Sequence, residues 1–191
     1  WYRTSEQALA DGLIGTVHQA TVRLRPGDGQ GPRAYLDRQP YFQQMERFLV
    51  HETAVHWIDT FRWLFGPIES VYADLRKLNP VIAGEDDGLL ILSHPDGVRT
   101  VFDGNRLSDN TASEPRRTMG VLTVDCEAGE LTLDAEGKIW LRRFGETSVE
   151  EIPVTYPVDT STFGGGCVAA VIAHVVEARA GKRPFENEAR D

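Results

Sequence analysis

The sequence predicts an α+β fold: a predominantly antiparallel, open β-sheet with helices packed on one face. Short apolar runs bounded by turn residues follow one another through the second half of the chain, while helical patterns are confined to the start, one insertion and the end. No GxGxxG motif joins a strand to a helix, so the sequence shows no Rossmann unit. An unbroken series of strands joined by short turns is typical of an antiparallel sheet.

The N-terminal part is predicted to contain a helix end, a strand and a loop. Residues 1–12 are typical of the end of a linker helix that closes at Gly12. From residue 17 to 25 apolar and polar side chains alternate, as in a strand with one covered face. The covered positions are Ala20, Val22 and Leu24. The stretch PGDGQGP at 26–32 predicts a loop.

The segment 45–65 is predicted to form one helix that Gly66 and Pro67 end. Its second half is apolar and aromatic nearly all round. A helix of that composition is expected to be buried, and its few polar residues then need a partner or a function.

Six strands, two hairpins and a last helical region are predicted after this helix. The strands cover residues 71–78, 88–93, 98–102, 121–127, 131–133 and 139–143. Turn residues at 94–97 and 134–137 predict the hairpins. Residues 166–180 are helical again, and residues 185–191 are expected to begin a truncated last helix. We expect residues 1–191 to form a single domain.

Composition argues against several classes of function. The net charge is -9, with acidic and basic residues mixed along the chain, which disfavours nucleic-acid binding. No apolar run is long enough to span a bilayer and the N-terminus has no apolar signal-peptide core, so we expect no membrane partner. The only cysteines, Cys126 and Cys167, are too distant in sequence for a CxxC pair, which favours a reducing, cytoplasmic compartment.

The segment VHETAVHWID at 50–59 is similar to the HExxH zinc motif, but its spacing differs. On an α-helix each residue turns by about 100°, so His51 and His56 lie roughly 140° apart and cannot hold one ion from a single helix. Glu52 and His56 share a face instead, together with Asp59. A carboxylate one turn before an imidazole indicates either acid–base chemistry or a structural ion pair. A zinc hydrolase would rest only on the superficial likeness, and we expect no metal.

This helix and the strands after it resemble the C-terminal domain of the Gfo/Idh/MocA oxidoreductases, the group of glucose-fructose oxidoreductase and inositol dehydrogenase. The family's helix usually reads D-x-G-x-H-x-x-D followed by an apolar turn and Gly, and HETAVHWIDTFRWLFG is similar to it. Glu52 stands where the family usually has Asp. The segments IGTVHQATVRL, LLILSHPDGVRTVFDGN and GVLTVDCEAGELTLDAEGKIWL resemble its sheet, and FGGGCVAAVIAHVVEARAGKRPFENEARD resembles its closing helices.

The resemblance implies the substrate-binding and oligomerisation domain of an NAD(P)-dependent oxidoreductase that acts on a secondary hydroxyl of a sugar or cyclic polyol. Family members hold NAD or NADP in an N-terminal Rossmann half, which is expected to precede this chain. We therefore expect neither a bound cofactor nor dehydrogenase activity from this chain alone. A homo-oligomer, such as a dimer, is implied through the open sheet face. The alternative is a non-catalytic sugar-sensing or dimerisation module of the same fold.

The resemblance also assigns roles to individual residues. His56 would take the proton from a substrate hydroxyl. Glu52 would favour the imidazolium that forms, or accept a hydrogen bond from a neighbouring hydroxyl. Arg38 and Tyr41 lie in the stretch RAYLDRQPYF, where the family's loop leans over the substrate, and ordinary loop packing is their alternative.

Two further candidate substrate contacts lie later in the chain. Asn105 follows Asp103 and Gly104, and it is either a substrate contact or a turn residue. His174 interrupts an apolar helix face, where a histidine is commonly a hydrogen-bonded core residue. Because the corresponding family helix borders the substrate cleft, His174 is also a candidate substrate contact.

Overall fold

The computed structural model describes residues 1–159, 161 and 163–185, which fall into two compact units within 1–156 and 157–191. An eight-stranded sheet dominates the first unit. Its strands in chain order are β1 (Val17–Leu24), β2 (Ser70–Arg76), β3 (Asp87–Ser93), β4 (Arg99–Asn105), β5 (Val121–Cys126), β6 (Gly129–Leu133), β7 (Ile139–Arg143) and β8 (Glu150–Ile152).

The sheet is open and mostly antiparallel. Its spatial order is β2-β3-β4-β1-β5-β6-β7-β8. The pair β1 and β4 is parallel, and the other neighbouring pairs are antiparallel. Both predicted hairpins are present, since Gly97 donates its N–H to the carbonyl of His94 and Gly137 to that of Asp134. The predicted fold class is therefore confirmed.

Two helices bury their apolar sides in the same core as one face of this sheet. They are α1 (Tyr2–Ala10) and α2 (Val55–Phe65). Trp57 and Phe61 of α2 belong to one hydrophobic cluster with the buried positions of the strands, among them the predicted Ala20, Val22 and Leu24. Burying a side chain of the size of Phe61 stabilises the fold by roughly 1.5–3 kcal/mol. The predicted alternation of β1 is confirmed, because these three positions are buried between partly or fully exposed neighbours.

The helix predicted over residues 45–65 is wrong in its first part and in its burial. Residues 45–48 are not helical, a π-helical turn spans Leu49–Ala54, and α2 follows it. The side of α2 that carries His56, Asp59 and Trp63 is exposed, so this helix is buried on one side only.

Contacts with the segment that carries Glu85 explain why the regular helix begins later than predicted. Leu49 donates its N–H to the carbonyl of Glu85 at 2.9 Å, and Val50 donates to Glu85 Oε1 at 3.1 Å. The segment that carries Glu85 lies close to the backbone of Met45 because residue 84 is glycine. A Cβ at position 84 would lie 2.6 Å from the Met45 carbonyl oxygen. These partners satisfy the first N–H groups of the turn, which a helix start otherwise leaves unpaired.

The remaining differences are small. Strand β8 was not predicted, because three residues that alternate weakly at the edge of a sheet carry little sequence signal. In the second unit, helix α3 (Cys167–Arg179) follows three glycines in the left-handed region, and it confirms the predicted helix over 166–180. Beyond Phe185, the predicted start of a last helix lies outside the described residues. The single domain over 1–191 stays a prediction.

Candidate functional site

A buried arginine, Arg106, organises the candidate site. It directly follows β4, and its side chain is 6% exposed. The guanidinium carbon lies 4.6 Å from the ring centroid of Phe48, 5.2 Å from that of Tyr35 and 5.6 Å from that of Phe42. These rings form an aromatic cage that attracts the cation through their electron-rich faces.

Two carboxylates compensate the buried charge of Arg106. Its Nη2 lies 3.0 Å from Asp28 Oδ2, and its Nη1 lies 2.7 Å from Glu52 Oε2. Its Nε donates to the hydroxyl of Tyr35 at 2.8 Å, and this hydroxyl donates to Asp28 Oδ1 at 3.0 Å. A buried cation is tolerated only when it is paired in this way.

The network changes the proton affinity of its members. Burial opposes the charge on Arg106, but its interactions with Asp28, Tyr35 and Glu52 together more than offset this effect, so the pKa of Arg106 is raised above its ordinary value. Burial is also the main cause that raises the pKa of the Tyr35 phenol. Both groups therefore stay protonated at neutral pH, and Arg106 remains a fixed cation.

Glu52 lies in the π-helical turn, with its side chain 29% exposed. Its Oε2 accepts hydrogen bonds from Arg106 and from the hydroxyl of Thr53, which itself accepts from Arg106. The carboxylate is thus held by one of its oxygens. Single π-helical turns occur frequently at functional sites, because they redirect side chains that a regular helix would place elsewhere.

His56 lies on the exposed side of α2. Across the described part of the chain, no hydrogen bond joins its imidazole to Glu52. Glu52, which lies in the π-helical turn, forms an ion pair with Arg106 instead of the pairing with His56 that α-helical spacing allows. The role of His56 as a base stays a prediction.

The predicted loop residues lie next to this network. Arg38 donates to Asp28 Oδ2 at 2.9 Å, and its side chain is 44% exposed, so it forms the solvent-facing end of the network. The exposed Tyr41 packs its ring edge-on against Phe42 of the aromatic cage, with 4.9 Å between ring centroids. The structure therefore brings Glu52, Arg38 and Tyr41 to one region of the first unit.

The other two predicted substrate contacts are placed differently. The side-chain oxygen of Asn105 accepts the N–H groups of Leu107 and Ser108, both at 2.9 Å, so this residue shapes the turn that carries Arg106. His174 lies partly buried on α3, in the second unit. Substrate contacts by Asn105 and His174 stay predictions.

Sequence reasoning missed Arg106 and Asp28. The hydrogen bonds of Arg106 reach Glu52, Tyr35 and Asp28 over 54, 71 and 78 positions of sequence. No local pattern can reveal such a set. The one available signal was the density of aromatic residues from Tyr35 to Phe48, which indicates a small core and therefore something buried inside it.

The description "GFO/IDH/MocA C-terminal domain" belongs to a family model that matches residues 2–132. The chain belongs to the Gfo/Idh/MocA family. The matched part of this Gfo/Idh/MocA domain contains Arg106, Glu52 and His56, whereas His174 lies after it.

Known relatives agree with this assignment. A D-apiose dehydrogenase from Paraburkholderia graminis is 32% identical over 133 residues, which make up 70% of this chain and 34% of that enzyme. The match therefore spans about a third of the length of this curated relative.

Two solved structures establish the fold. An oxidoreductase from Agrobacterium radiobacter in complex with NAD+, L-tartaric acid and magnesium has a TM-score of 0.76 and 18% identity, over 97% of this chain and 53% of that one. The WlbA dehydrogenase from Bordetella pertussis in complex with NADH and UDP-GlcNAcA has a TM-score of 0.66 and 21% identity, over 98% of this chain and 51% of that one.

The described residues of this Gfo/Idh/MocA domain contain no Rossmann dinucleotide-binding motif. In residues 1–159, 161 and 163–185, no strand is followed by a GxGxxG turn and a helix, the arrangement that holds a pyrophosphate. The same residues contain no group of three or more His, Cys, Asp or Glu side chains that could hold a metal ion. Of the helices described, none is long and apolar enough to cross a bilayer.

Proposed function

We propose that this chain is the substrate-binding and oligomerisation domain of an NAD(P)-dependent oxidoreductase acting on a secondary hydroxyl of a sugar or cyclic polyol. Membership of the Gfo/Idh/MocA family and 32% identity to a D-apiose dehydrogenase support the substrate class. NAD+ and NADH in the two similar structures support the cofactor, which a part of the protein outside the described residues would hold. The observation that carries the proposal is an exposed imidazole, His56, four positions after an anchored carboxylate, Glu52.

In the proposed reaction His56 takes the proton from the substrate hydroxyl, and the carbon becomes a carbonyl. Its exposed position allows it to reach a substrate and to exchange the proton with water. NAD or NADP, held by a part of the protein outside the described residues, would supply the acceptor for the hydride that leaves the same carbon. Glu52 accepts a hydrogen bond from a neighbouring hydroxyl, because an ionised carboxylate is a strong acceptor.

The open sheet face supports the proposed homo-oligomer. The strand register places one row of mostly uncharged residues across this face from β2 to β7. The row consists of Tyr72, Ile91, Val101, Thr21, Thr123, Thr132 and Trp140. Charged residues are depleted in the same way at the centres of protein interfaces. We also propose a cytoplasmic location, in agreement with two free cysteines, Cys126 and Cys167.

A second candidate function is a sugar-sensing or dimerisation module of the same fold. The observation that favours it is the ion pair of Glu52 with Arg106, which leaves His56 without a carboxylate partner among the described residues. Such a module would bind a sugar without oxidising it.

The test compares the variants His56→Ala and His51→Ala in the full-length protein, since both histidines are exposed. The assay measures the formation of reduced nicotinamide cofactor with a panel of sugars and polyols. We expect His56→Ala to lower kcat by about 100-fold or more, because that is the usual contribution of a positioned base. His51→Ala should keep the wild-type kcat. Sugar binding without turnover in the wild type would establish the sensing module instead.

A further inference from the structure

We propose that Arg106 is a positioning residue: its two ion pairs hold the π-helical turn at a fixed place relative to the loop at 26–32, and thereby fix the Glu52 carboxylate for the substrate. This rests on the proposed function, in which Glu52 contacts a substrate hydroxyl. Arg106 itself is buried, so it acts through Glu52.

Each nitrogen of the Arg106 guanidinium donates at least one hydrogen bond. Nη1 donates to Glu52 and Thr53, Nη2 donates to Asp28, and Nε donates to Tyr35 and to the other oxygen of Asp28. A guanidinium is a rigid, planar fork, so all of these bonds form together in one orientation only. The position of Glu52 Oε2 is therefore fixed relative to Asp28.

The aromatic cage also includes the residue immediately before the π-helical turn. Phe48 is fully buried, immediately precedes the π-helical turn, and lies nearest to the guanidinium, at 4.6 Å. Its carbonyl accepts the N–H of Glu52 at 2.9 Å. The backbone before Glu52 and the carboxylate of Glu52 are thus both tied to Arg106.

Hydrogen bonds also hold the loop at 26–32, which carries Asp28. Gly29 donates its N–H to the carbonyl of Arg106 at 2.9 Å, and a Cβ at Gly29 would lie 3.0 Å from that oxygen. The buried Asn79 donates to the carbonyls of Gly29 and Gly31 at 2.7 and 2.9 Å. Asp28 is therefore held in a closely packed loop.

One oxygen of Glu52 remains for a ligand. Both hydrogen bonds to this carboxylate end on Oε2, and within the described part of the chain Oε1 has no hydrogen-bond donor. The side chain is 29% exposed, whereas that of Asp28 is 17% exposed and accepts from Tyr35, Arg38 and Arg106. Of the two carboxylates on Arg106, Glu52 is the one that can accept a hydroxyl from a substrate.

The test is a double-mutant cycle in the full-length protein with Arg106→Met, Glu52→Gln and the double variant. We expect Arg106→Met to lower kcat by about 100-fold with a smaller change in KM, because a misplaced contact weakens transition-state binding. In the Glu52→Gln background the same substitution should have little further effect on kcat. An equal loss in both backgrounds, or no loss in the wild type, would overturn the proposal.

The matched control is Arg25→Met. Arg25 is also largely buried, with a side chain 11% exposed, and pairs with Asp103 at 2.6 Å, but it makes no contact with Glu52. Arg25→Met should lower the free energy of unfolding without changing kcat in either the wild-type or the Glu52→Gln background. If Arg106→Met does not fold, Arg106→Lys replaces it in the test. Lysine keeps the positive charge but lacks the planar guanidinium with its several donors, so we expect a partial loss of kcat.

Hydrogen exchange of the Val50 and Glu52 amides supplies a second readout. Arg106→Lys should accelerate exchange at these amides more than Arg25→Lys does. Equal acceleration in the two variants would overturn the positioning role even if the wild type shows no turnover. Absent turnover would itself contradict only the proposed oxidoreductase.

Discussion

Glu52 Oε2 and Arg106 Nη1 are 2.7 Å apart, although 54 positions of sequence separate the two residues. The pair joins the end of strand β4 to a π-helical turn, inside a cage of three aromatic rings. In the motif HETAVH, the Glu52 carboxylate therefore binds a buried cation and does not pair with His56. The imidazole of His56 is exposed.

Replacing Arg106 by Met should strongly destabilise the protein. The substitution leaves Asp28 and Glu52 without their shared cation, and removing one partner of a buried ion pair costs about 3–5 kcal/mol. Denaturant unfolding measures this cost. Arg33→Met is the control: Arg33 pairs with Asp37 at 2.8 Å with its side chain 71% exposed, and its loss should cost at most about 0.5 kcal/mol. Equal midpoints for the two variants would contradict this assignment.

Stability should fall in alkaline solution because of Cys126. Burial raises the pKa of this thiol from 9.0 to about 11. Since the unfolded chain then loses the proton first, the stabilising contribution is complete below pH 9.0 and is lost as pH rises towards about 11. The slope reaches about 1.4 kcal/mol per pH unit.

Unfolding of wild type and Cys126→Ala from pH 8 to 11 measures this contribution, which appears as a steeper fall of the free energy of unfolding in the wild type than in the variant. The exposed Cys167 should react with an alkylating reagent in the folded protein at pH 8, whereas Cys126 should not. Parallel curves for the two proteins would exclude Cys126 as the cause.

Tyr35 should contribute at higher pH. Burial raises the pKa of its phenol above the ordinary value of 10.0, so its stabilising contribution is present below pH 10.0 and is lost at more alkaline pH. Tyr35→Phe should therefore lower the free energy of unfolding at pH 7, where it removes two hydrogen bonds, by roughly 1–3 kcal/mol. The difference from wild type should shrink above pH 10.0. A difference that stays constant up to pH 12 would contradict the raised pKa.

Gly84→Ala should disturb the π-helical turn from a distance. The new Cβ would lie 2.6 Å from the Met45 carbonyl oxygen and 2.8 Å from that of Glu46, so the segment carrying Glu85 must move. We expect a loss of about 1–3 kcal/mol, as for overpacking, and faster exchange at the Val50 amide. Gly97→Ala is the control: a Cβ there meets nothing within 4 Å and strains only a hairpin turn. Unchanged Val50 exchange in Gly84→Ala would contradict the predicted coupling.

A charge on the open sheet face should prevent self-association. Thr123→Arg places a cation in the middle of the row from Tyr72 to Trp140, and an unpaired charge at an interface core opposes association. Sedimentation should show an oligomer for the wild type and a monomer for this variant. Thr111→Arg, at an exposed position in the loop after β4, should stay oligomeric. A monomeric wild type would disprove the open-face oligomer.

Local patterns predicted the fold but not the long-range contacts around Glu52. Alternation in β1 and the turn residues at 94–97 and 134–137 act over a few positions, so the sequence alone was enough to place β1 and the two hairpins. The start of α2 depends on Glu85 and Gly84, which no helical pattern contains. Arg106 stands in a polar stretch that is typical of a surface turn, and only the folded chain reveals its burial.

The shared guanidinium has a consequence for protein engineering. Positions 28 and 52 belong to segments far apart in sequence, yet neither carboxylate can be exchanged without changing the electrostatic environment of the other. Removal of Asp28 would leave Glu52 as the remaining carboxylate partner of Arg106. The charge at position 28 and the carboxylate at position 52 therefore have to be redesigned together.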